Sequence, residues 1–158
     1  MTAALAIYPG MAVTESRDIV IEATPEEILD VLFDLESLPE WSSTHRKIEI
    51  LERDEDGRPT KSRQVVKVAG VSDEQVLAYS VHEDGVSWEL VSAKQQRAQT
   101  ARYTLTPDGD STRVHFTLTV DLSVPLPGFL IKRGAKGLMD TATNALRKRV
   151  LEVKKSAG

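Results

Sequence analysis

Three histidines, His45, His82 and His115, are the side chains of this 158-residue sequence best suited to proton transfer or metal ligation near neutral pH. None stands at helical or turn spacing from another with a carboxylate alongside, the pattern a metal site would use. Each is expected at the surface, His115 on the polar row of its strand. The acidic clusters have plain explanations as well. Glu26-Glu27 opens a helix and Asp54-Glu55-Asp56 lies in a solvated turn, so a two-carboxylate hydrolase is not indicated. The sequence contains no Gly-x-Ser-x-Gly elbow, phosphate loop or dinucleotide fingerprint. It has no cysteine, which removes thiolate nucleophiles and cysteine-ligated metals and fits a reducing cytoplasm. No metal and no cofactor are expected.

The bulk numbers describe an ordinary globular chain. Hydrophobic residues make up 41% and charged residues 28%, enough apolar content for one packed core at this length. A net charge of −4 offers no global basic surface for nucleic acid. Residues 1–12 are mostly apolar but lack a basic leader, contain Pro9-Gly10 and are too short to span a bilayer. A flexible arm is therefore expected there, ahead of a single domain over residues 13–155.

The elements that must position any site follow from periodicity. Ile19, Ile21 and Ala23 alternate along a first strand, and Thr24-Pro25-Glu26-Glu27 forms a capping box with proline at the first helical position. A second short helix or turn is expected over Leu35 to Trp41, interrupted by Pro39. Six β-rich runs follow from Lys47 to Leu122, joined by short polar turns that include Gly70-Val71-Ser72-Asp73 and Pro107-Asp108-Gly109-Asp110. With the first strand they make seven. Val86, Trp88 and Leu90 share one side of their strand, as do Gln99, Ala101, Tyr103 and Leu105 of the next run. A sheet with one dry face needs a cover. Phe129 to Lys155 supplies it: Ile131, Ala135, Leu138, Ala142, Leu146, Val150 and Val153 recur every three or four residues.

This order of elements, with the segments Glu36-Ser37-Leu38-Pro39-Glu40-Trp41 and Val124-Pro125-Leu126-Pro127-Gly128-Phe129, resembles the polyketide cyclase/dehydrase-like branch of the START and birch-pollen-allergen superfamily, actinobacterial members in particular. The resemblance spans about residues 14–154. It implies an α+β helix-grip fold: a seven-stranded curved antiparallel sheet around a long C-terminal helix, with two short helices after strand 1. Members bind lipids, polyketides, sterols or hormones in the tunnel between sheet and helix, and some cyclise polyketide chains.

Three roles follow from the resemblance: a binder or carrier of a small hydrophobic molecule, which we favour; a polyketide aromatase/cyclase; and a protein-interaction module with a filled core. The ligand-facing set expected for the first role begins with Phe33, Leu38 and Trp41 near the short helices. Val66, Val68, Tyr79 and Trp88 continue it along the sheet, followed by Gln99, Tyr103 and Phe116. Phe129, Leu138 and Met139 complete it from the last helix. For a cyclase, relatives place a ketone-polarising arginine on the strand that contains Arg63. Strand parity counts against Arg63, because the inward row is Gln64, Val66 and Val68, and only a bulge would turn it inward.

Three features of the last helix carry expectations of their own. Gly134 and Gly137 cost about 1 kcal/mol each relative to alanine and mark either room for a ligand or close approach to the sheet. Arg149 sits on the apolar stripe, where it either reaches past the sheet edge or anchors an acidic ligand group. The helix has eight basic residues against Asp140 and Glu152, a face suited to solvation or to transient contact with anionic headgroups.

Overall fold

The computed structural model describes residues 6–7 and 12–157. Most of the expected N-terminal arm lies outside the described residues; within it, Ala6–Ile7 forms a short strand β1. The sheet strands are β2 (Ala12–Ile21), β3 (His45–Arg53), β4 (Pro59–Val68), β5 (Val71–His82), β6 (Gly85–Ala93), β7 (Gln96–Asp108) and β8 (Ser111–Leu122). They lie in the order β2-β8-β7-β6-β5-β4-β3, antiparallel throughout, so the first strand pairs with the last and the rest form a meander. A separate two-residue ladder joins β1 to β9 (Leu126–Pro127).

Between β2 and β3 the chain forms α1 (Pro25–Phe33), a 3₁₀ turn (Leu35–Ser37) and α2 (Leu38–Trp41). The capping box closes α1 as its sequence requires: Glu27 N–H donates to Thr24 Oγ1, and Thr24 N–H donates to Glu27 Oε1 at 2.9 Å. Pro39 does not interrupt α2. It occupies the first turn, where a missing N–H has no helical partner to lose.

The turns are tighter than expected: Pro107 and Asp108 belong to β7, paired with Thr112 and Ser111. Ser72 and Asp73 belong to β5, and the β4–β5 turn is Ala69-Gly70, both at positive φ (49° and 81°). That pair of left-handed residues matches the twist of the flanking strands in a two-residue hairpin. Three ladders carry register shifts: β3/β4 between His45 and Lys47 and again near Glu52, β5/β6 between Val76 and Leu77, and β7/β8 between Gln96 and Ala98. Such bulges bend a strand, and here they accompany the curl of the sheet.

The last helix differs from the expected uninterrupted rod. It runs as α3 (Gly128–Asp140), a π-turn (Thr141–Ala145) and α4 (Leu146–Ala157). Side-chain donors meet carbonyls around the widened turn: Thr143 Oγ1 donates to Met139 O at 2.6 Å and Tyr103 Oη to Ala142 O at 2.8 Å. Periodicity could not show this, because a π-turn adds one residue to the helical count.

Beneath α4 the core is dry. Ile21, Ile28, Val114, Leu146 and Val150 are almost fully buried together, with Thr112 Oγ1 donating to Ala23 O at 2.7 Å. Beneath α3 the sheet and helix do not close completely. Gly134 fixes their separation: a Cβ there would lie 2.9 Å from Val68 Cγ1, whereas one at Gly137 would meet nothing.

Candidate hydrophobic cavity

The space between α3 and the sheet is a cavity of about 240 Å³. With roughly 10–15 Å³ needed for one water-sized group, it takes a guest on the order of twenty such groups. Aromatic rings form its floor. Trp88 of β6 lies 6.0 Å from Tyr79 of β5, 6.0 Å from Tyr103 of β7 and 5.9 Å from Phe116 of β8, centroid to centroid, all tilted. The alternation of each strand aims these side chains at one face. Leu138 and Met139 approach from α3, and Leu35, Leu38 and Trp41 close one end. Trp41 is held by a hydrogen bond from Nε1 to Ser37 Oγ at 3.1 Å.

One wall is polar. Asp73 is buried, with Oδ1 accepting from the backbone N–H of Lys94 (2.9 Å) and of Gln95 (3.0 Å). Its Oδ2 accepts from Gln96 Nε2 at 3.0 Å. From there side-chain amides run across the sheet. Gln96 Nε2 also donates to Gln75 Oε1 (2.9 Å), Gln75 Nε2 to Gln64 Oε1 (3.0 Å), and Gln64 Nε2 to Tyr79 Oη (2.9 Å). Burial pushes the Tyr79 hydroxyl up to about 12, opposed in part by its hydrogen bond with Ser62. In the other direction Gln99 Nε2 donates to Gln96 Oε1 at 3.3 Å.

His45 lies at the cavity wall, paired across the ladder with Val66. Burial lowers its imidazole from the usual 6.5 to about 4, so it is neutral at neutral pH. Its Nδ1 is held by two hydroxyls, Ser42 Oγ at 2.7 Å and Thr44 Oγ1 at 3.1 Å, and Ser42 Oγ accepts from the backbone N–H groups of Thr44 and His45. Among the described residues, no group of three His, Cys, Asp or Glu is placed to hold a metal ion.

The model of the family described as "Polyketide cyclase / dehydrase and lipid transport" matches residues 12–151, nearly all of the described sheet and helix. The chain belongs to that family. Among solved structures, the chain is similar to a START superfamily protein from Mycobacterium smegmatis. The two are 27% identical with a TM-score of 0.79, over 89% of this chain and 98% of the other. The Zhui aromatase/cyclase from Streptomyces sp. R1128 superposes equally well, with a TM-score of 0.79 over 94% and 99% of the two chains, at 14% identity, a likeness of fold. No curated protein matches the sequence.

In this family member the structure brings twelve of the thirteen expected ligand-facing residues to the cavity wall. Phe33, Leu38 and Trp41 line one end, Val66 and Val68 the β4 side. Tyr79, Trp88, Gln99, Tyr103 and Phe116 line the sheet, with Leu138 and Met139 opposite. Phe129 is the exception. It lies in the first turn of α3, 59% exposed, while Leu130 and Ile131 face the cavity in its place.

Arg63 faces outward, as strand parity indicates, and pairs with Glu49 at 2.9 Å, with no bulge to turn it inward, and so cannot polarise a guest in the cavity. His45 is a second correction, since it was expected at the surface. His115 does lie there, 2.8 Å from Asp18. Arg149 neither enters the cavity nor stands free; it reaches Glu40 of α2 at 3.7 Å. The basic face of the last helix is partly neutralised within the molecule, Arg147 by Glu22, Lys136 by Asp140 and Lys154 by Glu27.

The sequence reading missed most of the polar wall. Asp73 resembled turn chemistry, and Gln75 and Gln96 had no motif around them. The usable signal was composition: Gln64, Gln75, Gln95, Gln96 and Gln99 cluster in strands otherwise rich in apolar residues.

Proposed function

We propose that this protein binds and carries a small hydrophobic molecule in the cavity beneath α3. The observation that carries the reading is the unfilled space itself, walled by Tyr79, Trp88, Tyr103 and Phe116 where ordinary packing would fill it with side chains. A guest that buried on the order of 200 Å² of apolar surface would gain about 5 kcal/mol before the costs of immobilisation. Entry would pass between the Ala69-Gly70 hairpin and the first turns of α3, where Leu126, Leu130 and Ile131 are partly exposed. The carrier reading is preferred to a cyclase because Arg63, the residue that the resemblance assigns to ketone polarisation, faces outward. An interaction module with a filled core lacks its premise, since the core is not filled.

Two measurements on the purified chain test this. Mass spectrometry of an organic extract after denaturation should find a co-purifying hydrophobe. Thermal unfolding in the presence of quinones, aromatic polyketides and long-chain lipids should show an upward shift with at least one of them. An empty extract together with no shift would remove the carrier role.

A further inference from the structure

We infer that the cavity selects neutral guests bearing a hydroxyl over carboxylates, and that Gln99 is the residue that reads the hydroxyl. This rests on the binding role proposed above and narrows its ligand.

The direction of every amide in the polar wall is set from Asp73. Its carboxylate accepts three N–H donors, so Gln96 must turn its NH₂ toward Asp73 and its oxygen away. That oxygen can be met only by a donor, which Gln99 Nε2 supplies. Reversing Gln99 would bring two carbonyl oxygens together. Its own Oε1 is therefore left over as an acceptor, and it is buried without a partner, in a residue 9% exposed. The chain running the other way, through Gln75 and Gln64 to Tyr79, is satisfied at each link.

A second buried polar atom on the same wall also lacks a partner: the Nε1–H of Trp88. Trp88 pairs across the ladder with Ala101, and Gln99 is two residues along from Ala101 on the same face of β7. On one face such diagonal neighbours lie about 7–8 Å apart, within reach of long side chains. Among the described residues, Gln99 and Trp88 thus carry one unpartnered acceptor and one unpartnered donor on side chains that both line the cavity. A hydroxyl suits both, giving its hydrogen to Gln99 and accepting from the indole.

Charge argues in the same direction. Among the described residues, those that line the cavity include Glu15 and Asp73 but no lysine or arginine. Burial holds His45 neutral, so it adds no cation at neutral pH. A carboxylate guest would be stripped of water with no counter-charge, and one of its oxygens would face Gln99 Oε1. An apolar guest without a hydroxyl would leave both orphaned atoms unmet.

Three probes of one shape test the inference by calorimetric titration of the full chain at neutral pH: 2-naphthol, naphthalene and 2-naphthoate. We expect 2-naphthol to bind at least tenfold tighter than either of the others. Gln99→Met, which keeps length and removes the acceptor, should bring 2-naphthol down to the affinity that naphthalene shows for the same variant. The naphthalene value shows that the variant cavity is intact. If 2-naphthoate matches 2-naphthol, or if Gln99→Met keeps the preference, the selectivity is wrong and the binding role stands. If none of the three binds, the binding role fails and takes the selectivity with it.

Discussion

The hydroxyl of Tyr103 donates to the backbone carbonyl of Ala142 at 2.8 Å, which fastens the middle of the sheet to the π-turn of the last helix. Tyr103 is 3% exposed and burial pushes its hydroxyl well above the usual range, so the group acts only as a donor. Tyr103→Phe would leave the carbonyl of a buried residue without this partner. The variant should lose about 1–3 kcal/mol of stability in urea unfolding, with the aromatic floor otherwise in place. No loss would mean that the widened turn satisfies its carbonyls by other means.

His45 makes stability depend on pH. Its folded-state value of about 4 lies below the ordinary 6.5, so on unfolding in acid the chain takes up a proton that the folded state refuses. The contribution is complete above about pH 6.5 and is lost as pH falls toward 4, by on the order of 2–3 kcal/mol. Urea midpoints near pH 7 and pH 5 measure it. His45→Gln should flatten this limb of the profile, and an unchanged slope would contradict the burial of the ring.

Gly134 and Gly137 should part company on substitution. Gly137→Ala meets nothing within 4 Å and should stabilise the helix by about 1 kcal/mol. Gly134→Ala gains the same propensity but drives a methyl to 2.9 Å from Val68 Cγ1, and should be neutral or destabilising. Adding Val68→Ala to Gly134→Ala should recover part of the loss. Additive behaviour in that double-mutant cycle would refute the contact.

Arg63→Ala should leave ligand binding, and any turnover, at the level of the parent protein. The pair it removes, Arg63 with Glu49, is about half exposed on both sides and contributes less than about 1 kcal/mol. A marked loss of binding would require Arg63 to act from inside the sheet.

The elements of the fold were legible because burial repeats at fixed intervals: two in β6 and β8, three and four in α3 and α4. The apolar half of the cavity came with them, since Trp88, Tyr103 and Phe116 obey simple alternation. His45 and Gln96 did not. Each stands next to a register shift, with Arg46 beside the first and Arg97 beside the second. His45 therefore shares a face with Ile48, and Gln96 with Gln99, three residues away in both cases. A bulge leaves no periodic trace in a single sequence, and bulges put these two side chains inside. Phe129 failed for a different reason: on a helix the neighbours Leu130 and Ile131 already cover the inward arc.

Ile21 pairs with Thr112 across most of the length of the chain, and α3 follows every strand it covers. During synthesis on the ribosome, the concave side of the meander is consequently formed before its roof exists. Tyr79, Trp88 and Phe116 face solvent together at that stage, a sticky surface that the emerging helix must reach before another chain does. On the proposed binding role, capture of a guest before release from the translating machinery would shorten that exposure and so aid assembly.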